Sequence, residues 1–250
     1  MTIHEFGKEN QKSILLIHPS VVKWDYFEFV IPFLEKDHHL IIPALPGYDF
    51  DEKNDFTSVE EIADELNRRL KSSGIRELYA VYGCSMGGSI ALMTALGQQI
   101  PIRNCVMDGG ITPYELPWIA TRFAALRDYL MMMLGRAGGV KLLEKAFATD
   151  EYSKEDLQYI TDVLRHSSRK TLWRTFDSCN NYKLPDPIPR IPTKIRYWYA
   201  DGEEKERAWD IRYMKKHFPD TEFTVLPELG HGGLALKQPE MFAQMISDME

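Results

Sequence analysis

The fold of this chain is decided by Leu78-Tyr-Ala-Val-Tyr-Gly-Cys-Ser-Met-Gly-Gly88 and by Ser89-Ile-Ala-Leu-Met-Thr-Ala-Leu96, which follows directly. A β-rich apolar run ends at Gly83, and an apolar, alanine-rich run typical of a helix begins just after Ser85. The pattern predicts a strand that reverses into a helix within about one residue. Side chains two positions on either side of Ser85 would collide in so sharp a turn, and Gly83 and Gly87 remove them.

The same three residues form the G-x-S-x-G pattern of a nucleophile elbow. Such a turn projects the serine hydroxyl from the edge of the sheet onto the positive end of the following helix. Ser85 is therefore the candidate nucleophile. A serine hydroxyl is a poor nucleophile at neutral pH, so it also needs a base within hydrogen-bond reach and a carboxylate to orient that base.

Composition excludes several other classes of protein. A chain of 250 residues suits one large α/β domain, or a core with an inserted subdomain. The net charge of −7, without a basic block, argues against nucleic acid as a partner. No apolar run approaches the roughly 20 residues that span a bilayer, and the N-terminus lacks the layout of a signal peptide. The odd count of 3 cysteines, with no CxxC, favours reduced thiols and a cytoplasmic location.

Buried strands alternate with amphipathic helices along the first part of the chain. Strands are predicted at 13–18, 38–42, 78–83 and 104–108, with helices at 24–36, 57–73 and from 86 onwards. This alternation favours a mostly parallel sheet covered by helices on both faces.

The alternation stops after Ile111. Only helical patterns occur between about 113 and 182, and four prolines between 185 and 192 form a stiff return segment. Strand patterns resume at 194–200 and 222–226, with a helix after each. We therefore expect a core formed by residues 1–111 and 184–250, and a helical insert formed by residues 112–183.

The candidate base is His231. Of the seven histidines, only His166, His217 and His231 follow Ser85, as the order of an elbow triad requires. His231 lies in a glycine-flanked loop after the last predicted strand, at the edge of the sheet where Ser85 is expected. His217 ends a lysine-rich helix and suits a C-terminal cap, and His166 lies among polar residues of the insert.

The acid has three candidates. Asp201 and Glu203 both follow the predicted strand at 194–200, and Asp108 ends an earlier strand from which a carboxylate can also reach the histidine. The residues alone leave this choice open.

In these features the chain resembles the α/β-hydrolase superfamily, specifically its capped serine hydrolase and esterase-like members, which carry a helical insert after the sixth strand of the core. The resemblance covers the His18 loop, the Leu45-Pro46-Gly47 turn, the Ser85 elbow, the insert and the Gly230-His231 loop. It implies the α/β-hydrolase fold, a cap over the pocket, and no metal or organic cofactor. The family's acid lies in a Gly-x-x-Asp/Glu segment; here Ala200-Asp201-Gly202-Glu203 fits with alanine in place of glycine, which favours Glu203.

The resemblance also implies an oxyanion hole. In the family, His-Gly follows an early strand, and the next residue donates its backbone N–H together with the residue after the nucleophile. Here the pair is His18-Pro19, and proline has no N–H, but the donor position belongs to Ser20. Ser20 and Met86 are therefore the expected donors, and His18 is expected to brace their loop.

The insert is expected to roof the pocket. Trp118, Phe123 and Met132 are candidate lining residues for an acyl chain, although apolar side chains of this kind also suit the insert's own core. The expected function is hydrolysis of a carboxylic ester or thioester of a small to medium substrate through an acyl-enzyme on Ser85. The alternatives are an acyltransferase with the same triad and a non-catalytic receptor that uses the capped pocket; the oligomeric state is not specified.

Overall fold

The chain forms a seven-stranded sheet with the spatial strand order β1-β3-β2-β4-β5-β6-β7. The computed structural model describes residues 1–146 and 153–249. The strands are β1 (Ile3–Phe6), β2 (Lys12–Ile17), β3 (His38–Pro43), β4 (Leu78–Cys84), β5 (Ile102–Asp108), β6 (Lys194–Ala200) and β7 (Glu222–Leu226). Every neighbouring pair is parallel except β1 and β3, which are antiparallel. The predicted fold class, a mostly parallel sheet flanked by helices, is confirmed.

The helices described are α1 (Ile31–Leu34), α2 (Val59–Ser72), α3 (Met86–Leu96), α4 (Trp118–Gly138), α5 (Val140–Ala146), α6 (Lys154–His166), α7 (Arg169–Asn181), α8 (Glu204–His217), α9 (Gly233–Lys237) and α10 (Pro239–Ser247). Two short 3-10 helices cover Trp24–Phe27 and Asp201–Glu203. Among the described residues, no helix combines the length and apolarity that a membrane crossing requires.

Both faces of the sheet are buried because successive residues of a strand point to opposite sides. In β2, Leu15 and Ile17 pack in one core with α2 and α3, whereas Ile14 and Leu16 pack in another with α1 and α10. All four side chains are fully buried. This two-sided burial explains why the strand is a continuous apolar run rather than an alternating one.

The strand β1 was not predicted. It has only four residues, all half-buried, and it lies at the edge of the sheet, where it pairs with β3. A short edge strand buries too little apolar surface to produce a clear sequence pattern.

The helices α4 to α7 lie between β5 and β6, so the insert follows the fifth strand of this sheet. The expected position after a sixth strand is therefore not what this chain shows. The strand number six came from the family resemblance, and the sheet described here has five strands before α4, one fewer than expected.

The turn at Ser85 is as crowded as the glycine pattern predicts. A Cβ atom on Gly83 would lie 1.9 Å from the carbonyl oxygen of Gly87, and one on Gly87 would lie 2.2 Å from that of Ile17. Ser85 itself has φ 52° and ψ −117°, a conformation that costs a non-glycine residue of order 1–3 kcal/mol. The glycines therefore allow β4 to turn into α3 without a steric clash.

We expect Gly83→Ala to lower the free energy of unfolding by more than about 3 kcal/mol, because the new methyl group meets backbone atoms that cannot rotate away. Gly202→Ala is the matched control, since a Cβ there lies 3.5 Å from its nearest neighbour. We expect the control to change stability by less than about 1 kcal/mol. Urea unfolding of both variants measures the difference, and equal effects would contradict the crowding argument.

Candidate active site

Ser85 lies at the carboxyl end of β4 and directly precedes α3. Its backbone N–H donates a 2.8 Å hydrogen bond to the carbonyl oxygen of Asp108, which fixes the turn against β5. The residue is only 7% exposed, yet it lines an open cavity. The hydroxyl therefore lies at the start of a helix, where partial positive charge favours an anion.

His231 is delivered to the same cavity by the loop that follows β7. The next residue, Gly232, has a left-handed φ of 68°, and its carbonyl oxygen accepts a 2.6 Å hydrogen bond from the Tyr26 hydroxyl. Tyr26 is buried and comes from the far end of the sequence. It thus anchors the loop that carries the imidazole.

Glu203 is the carboxylate that contacts the imidazole. Its Oε2 lies 2.6 Å from His231 Nδ1, and its Oε1 accepts a 3.0 Å hydrogen bond from the N–H of Ala200. An ionised carboxylate only accepts hydrogen bonds, so Nδ1 carries the proton and Nε2 of the neutral ring is left as an acceptor. This is the tautomer that a general base needs.

The surroundings keep Glu203 ionised. The side chain is almost fully buried, and burial raises its pKa, but the interactions with His231, the N–H of Ala200 and Arg207 together lower it by more. The net pKa of Glu203 therefore lies below its ordinary value of 4.5.

Gly109 allows this pair to approach β5 closely. A Cβ atom at position 109 would lie 2.8 Å from the His231 ring and 3.1 Å from Glu203 Oε1, and the residue has φ 55°. Any side chain at Gly109 would collide with the histidine and strain the backbone.

Arg207 supports Glu203 from one helical turn away. Its Nε lies 3.7 Å from Glu203 Oε2, and its Nη1 lies 3.3 Å from Asp210 and donates to the carbonyl oxygen of Gly109 at 3.2 Å. Asp210 in turn accepts hydrogen bonds from the N–H and hydroxyl of Thr112. Glu203 is thus one member of a buried charge network.

The two other acid candidates have different partners. Asp201 is exposed and accepts hydrogen bonds from the N–H groups of Gly202 and Glu228, so it closes a turn. Asp108 is buried and accepts a hydrogen bond from the Tyr82 hydroxyl. The structure therefore brings Glu203, and neither aspartate, into hydrogen-bond contact with the histidine.

Ser85 and His231 line one cavity, but no hydrogen bond joins their side chains in the part of the chain that the structure describes. Catalytic hydrogen bonds are often long in ligand-free sites and shorten when substrate binds.

Of the two expected oxyanion donors, Ser20 lines the same cavity, and Met86 directly follows Ser85 without being one of the lining residues. Met86 is the first residue of α3, where backbone N–H groups have no partner within the helix, and Ser20 lines the cavity. Val21 has φ 57°, which is rare for a β-branched residue and marks a strained loop.

His18 braces this loop, as expected. Its Nδ1 donates to the carbonyl oxygen of Pro19 at 2.8 Å, and its Nε2 accepts from the N–H of Leu45 at 3.2 Å. Burial lowers the pKa of His18 to about 4, so the ring stays neutral and keeps both bonds at neutral pH.

The cavity has a volume of about 500 Å³ and lies between the sheet edge and the insert. Met132 on α4 lines it, together with Tyr159 and Ile160 of α6 and Phe176 of α7. The Tyr159 hydroxyl accepts a 2.9 Å hydrogen bond from the N–H of Lys23, which joins the segment after β2 to α6.

The structure does not place Trp118 or Phe123 in the cavity lining, which corrects the expectation from sequence; both are 67% exposed. Phe123 is nine residues from Met132, which places it on the opposite side of α4 at 100° per residue. Trp118 lies about 21 Å from Met132 along the axis, at 1.5 Å per residue.

Two residues that support the candidate site, Arg207 and Tyr26, were not identified from the sequence. Arg207 could have been found, because it is four residues after Glu203 on a predicted helix and such pairs are neighbours. Tyr26 offered no such signal, since its partner Gly232 is 206 residues away. Within residues 1–146 and 153–249, no group of three His, Cys, Asp or Glu side chains is arranged to hold a metal ion.

The pKa of Asp108 gives a pH-dependent prediction. Burial raises this pKa from 3.8 to about 6, so the fold prefers the neutral acid. The protonated Asp108 contributes its full stabilisation below pH 3.8, the pKa of the group in the unfolded chain, and this contribution is lost as pH rises through about 6. At 1.36 kcal/mol per unit, the loss at neutral pH is about 3 kcal/mol.

We therefore expect the free energy of unfolding of Asp108→Asn, relative to that of the wild type, to rise by about 3 kcal/mol from about pH 4 to pH 7. The reason is that the amide stays neutral and still accepts the Tyr82 hydrogen bond. Urea unfolding at a series of pH values measures this. A stability difference that does not change with pH would contradict the raised pKa.

Comparisons with known proteins show the same fold. A chain described as an alpha/beta hydrolase family protein from Desulfitobacterium hafniense is 23% identical, with a TM-score of 0.78 and 99% of both chains covered. MenH from S. aureus is 18% identical, with a TM-score of 0.77, and 98% of this chain and 96% of that chain are covered. An esterase from Exiguobacterium antarcticum is 17% identical, with a TM-score of 0.76 and coverages of 98% and 93%.

At these identities the solved structures establish a shared fold. A sequence comparison with curated proteins found no significant match. The sequence model of the alpha/beta hydrolase family matches residues 14–245, nearly the whole chain. The chain therefore belongs to the alpha/beta hydrolase family.

Proposed function

We propose that this protein is a serine hydrolase that cleaves a carboxylic ester or thioester of a small to medium substrate through an acyl-enzyme on Ser85. The observation that carries the proposal is the 2.6 Å contact between Glu203 and His231 at the cavity that Ser85 lines. A buried carboxylate that fixes the tautomer of an imidazole next to a strained serine matches the needs of nucleophilic catalysis.

The proposed reaction has two acyl-transfer steps. The Ser85 hydroxyl oxygen attacks the carbonyl carbon while His231 Nε2 takes its proton, and the oxyanion accepts hydrogen bonds from the N–H groups of Ser20 and Met86. The bond to the alcohol or thiol then breaks, and that group leaves with the proton from His231. Water attacks the acyl-enzyme in the same way, which releases the carboxylic acid and returns the proton to Ser85.

The cavity supports a substrate of limited size. Its volume of about 500 Å³ falls within the range of about 300–1,000 Å³ that suits small molecules. Met132, Ile160, Phe176 and Leu236 give it apolar walls, which favour an acyl chain over a charged group.

We further propose that residues 112–183 form a cap over a core of residues 1–111 and 184–250. Three helices of this segment, α4, α6 and α7, each contribute a side chain to the cavity lining. Residues 147–152 of the proposed cap lie outside the described residues. A cytoplasmic location is proposed with it, because Cys84, Cys105 and Cys179 are all free and buried, as in a reducing compartment.

Labelling with a fluorophosphonate probe tests the nucleophile. We expect mass mapping to find the label on Ser85, and Ser85→Ala to abolish it. Ser20→Ala is the matched control, because Ser20 is proposed to act through its backbone N–H, which the substitution keeps. Label elsewhere, or undiminished label in Ser85→Ala, would refute the assignment.

Turnover of a panel of short and medium esters and thioesters then separates the alternatives. A labelled protein that hydrolyses none of them would overturn the hydrolase proposal in favour of an acyltransferase or a receptor.

The acid is tested by comparing Glu203→Gln with Asp201→Asn. We expect Glu203→Gln to lower kcat by about 10³–10⁴, as loss of the orienting carboxylate does in a serine protease. Asp201→Asn is expected to change kcat by less than about threefold, because the hydrogen bonds of Asp201 to described residues come from the backbone N–H groups of Gly202 and Glu228. A larger loss in Asp201→Asn would exclude Glu203 as the orienting acid.

A further inference from the structure

The helix α4 exposes large apolar side chains that a helix at the surface of a monomer ordinarily buries. The residues it buries are small or polar, namely Thr121, Ala125 and Gly135. Tyr129, Met132 and Met133 pack inward against a buried cluster. Other large apolar residues of α4 face outward, and we call five of them the outer stripe: Ile119, Phe123, Leu126, Leu130 and Leu134. A surface helix ordinarily buries its apolar stripe and exposes its polar face.

The outer stripe is continuous. Its members follow one another at intervals of four, three, four and four residues, which places them on one face of a helix with 3.6 residues per turn. They are between 40% and 67% exposed, and the stripe is about 22 Å long at 1.5 Å per residue. The opposite face of α4 carries Met132, which lines the cavity, so the stripe is not part of the proposed active site.

We propose that the outer stripe of α4 is the interface with a second copy of this chain, packed antiparallel across a twofold axis. An axis between residues 126 and 127 sets Ile119 opposite Leu134 and Phe123 opposite Leu130 of the second copy, with the two Leu126 side chains near the axis. The stripe is therefore complementary to itself, as a twofold interface requires.

The exposed apolar area is sufficient for a stable dimer. An aromatic side chain offers about 150–250 Å², so the two-thirds-exposed Trp118 and Phe123 together expose roughly 200–330 Å². Six aliphatic neighbours at roughly 50 Å² each raise the patch to roughly 500–600 Å². These neighbours are Leu116, Ile119, Leu126, Leu130, Met131 and Leu134. The five residues of the outer stripe account for roughly 300–370 Å² of this area, and Leu116, Trp118 and Met131, which flank the stripe, account for the rest.

An interface of ordinary size buries about 800 Å² on each partner, of which about 57% is apolar, or about 450 Å². The outer stripe meets this requirement together with the flanking Leu116, Trp118 and Met131, and the whole patch lies in the upper part of the range that a typical monomer exposes, about 300–600 Å².

The charges beside the stripe favour protein over an anionic lipid surface. Arg122 is paired with Asp177, Arg127 lies 2.7 Å from Asp128, and Arg136 donates to the carbonyl oxygen of Leu164 at 2.9 Å. All three arginines of α4 thus have partners within the chain, and the whole chain carries a net charge of −7. A membrane-surface helix instead presents free basic side chains next to its apolar face.

Sedimentation velocity tests the dimer. We expect the wild type to sediment at twice the chain mass of 29.0 kDa, and both Phe123→Glu and Leu130→Glu to sediment as monomers. Phe33→Glu is the matched control: Phe33 is 37% exposed on α1, and we expect it to leave the dimer intact. Circular dichroism melting shows that each variant is folded. A monomeric wild type at about 100 μM, folded stripe variants that remain dimers, or a dissociated control would overturn the proposal.

Cysteine cross-linking tests the orientation. The three natural cysteines are all buried and leave the surface free of thiols among the described residues. We expect Leu126→Cys to form a disulfide between copies under mild oxidation, because its partner lies near the axis. In Ile119→Cys the two thiols are about 22 Å apart along the helices, beyond the reach of a disulfide. Cross-linking of Ile119→Cys as efficient as that of Leu126→Cys would overturn the antiparallel arrangement.

Flotation with phosphatidylcholine vesicles distinguishes a lipid occupant. We expect the wild type to remain in the aqueous fraction. If the wild type is monomeric and binds the vesicles, and Phe123→Glu abolishes that binding, the dimer is overturned in favour of a neutral lipid surface. Because none of these readouts uses activity, their failure is distinguishable from failure of the proposed hydrolase.

Discussion

Ser85 is held in a left-handed backbone conformation because β4 must turn into α3 without an intervening loop. The strain is compensated locally by a hydrogen bond from its N–H to Asp108 and by the absence of side chains at Gly83 and Gly87. The turn fixes where the hydroxyl can point and which N–H groups surround it. The other parts of the site, the histidine loop, the carboxylate and the cavity, are placed relative to this one residue.

The electrostatics of the site follow from burial. Glu203 is almost completely removed from water, and an isolated charge there would be costly. His231, the N–H of Ala200 and Arg207 compensate for that burial, and the net pKa of Glu203 remains low. Asp108, on the neighbouring strand, accepts a hydrogen bond from the uncharged Tyr82 hydroxyl, and burial raises its pKa. Two carboxylates close in space thus have opposite pKa shifts because their partners differ.

The insert belongs both to the cavity and to the outer surface. One face of α4 supplies Met132 to the cavity wall, and the opposite face carries the outer stripe. A partner bound to the stripe would hold the helix that forms this wall. In this way an interface far from Ser85 would stabilise the shape of the pocket without contacting a substrate.

The sequence by itself determined the alternating strands and helices, the turn at Ser85 and the choice of His231, because these depend on local periodicity, on glycine spacing and on chain order. It narrowed the acid to three carboxylates and no further. Only the tertiary structure shows which of them contacts the imidazole, since the short 3-10 helix at Asp201–Glu203 turns Glu203 toward His231 and Asp201 toward the backbone N–H groups of Gly202 and Glu228. It also decided that Met132 lines the cavity while Trp118 and Phe123 do not, because an apolar pattern identifies a helix but does not say which of its faces meets the rest of the protein.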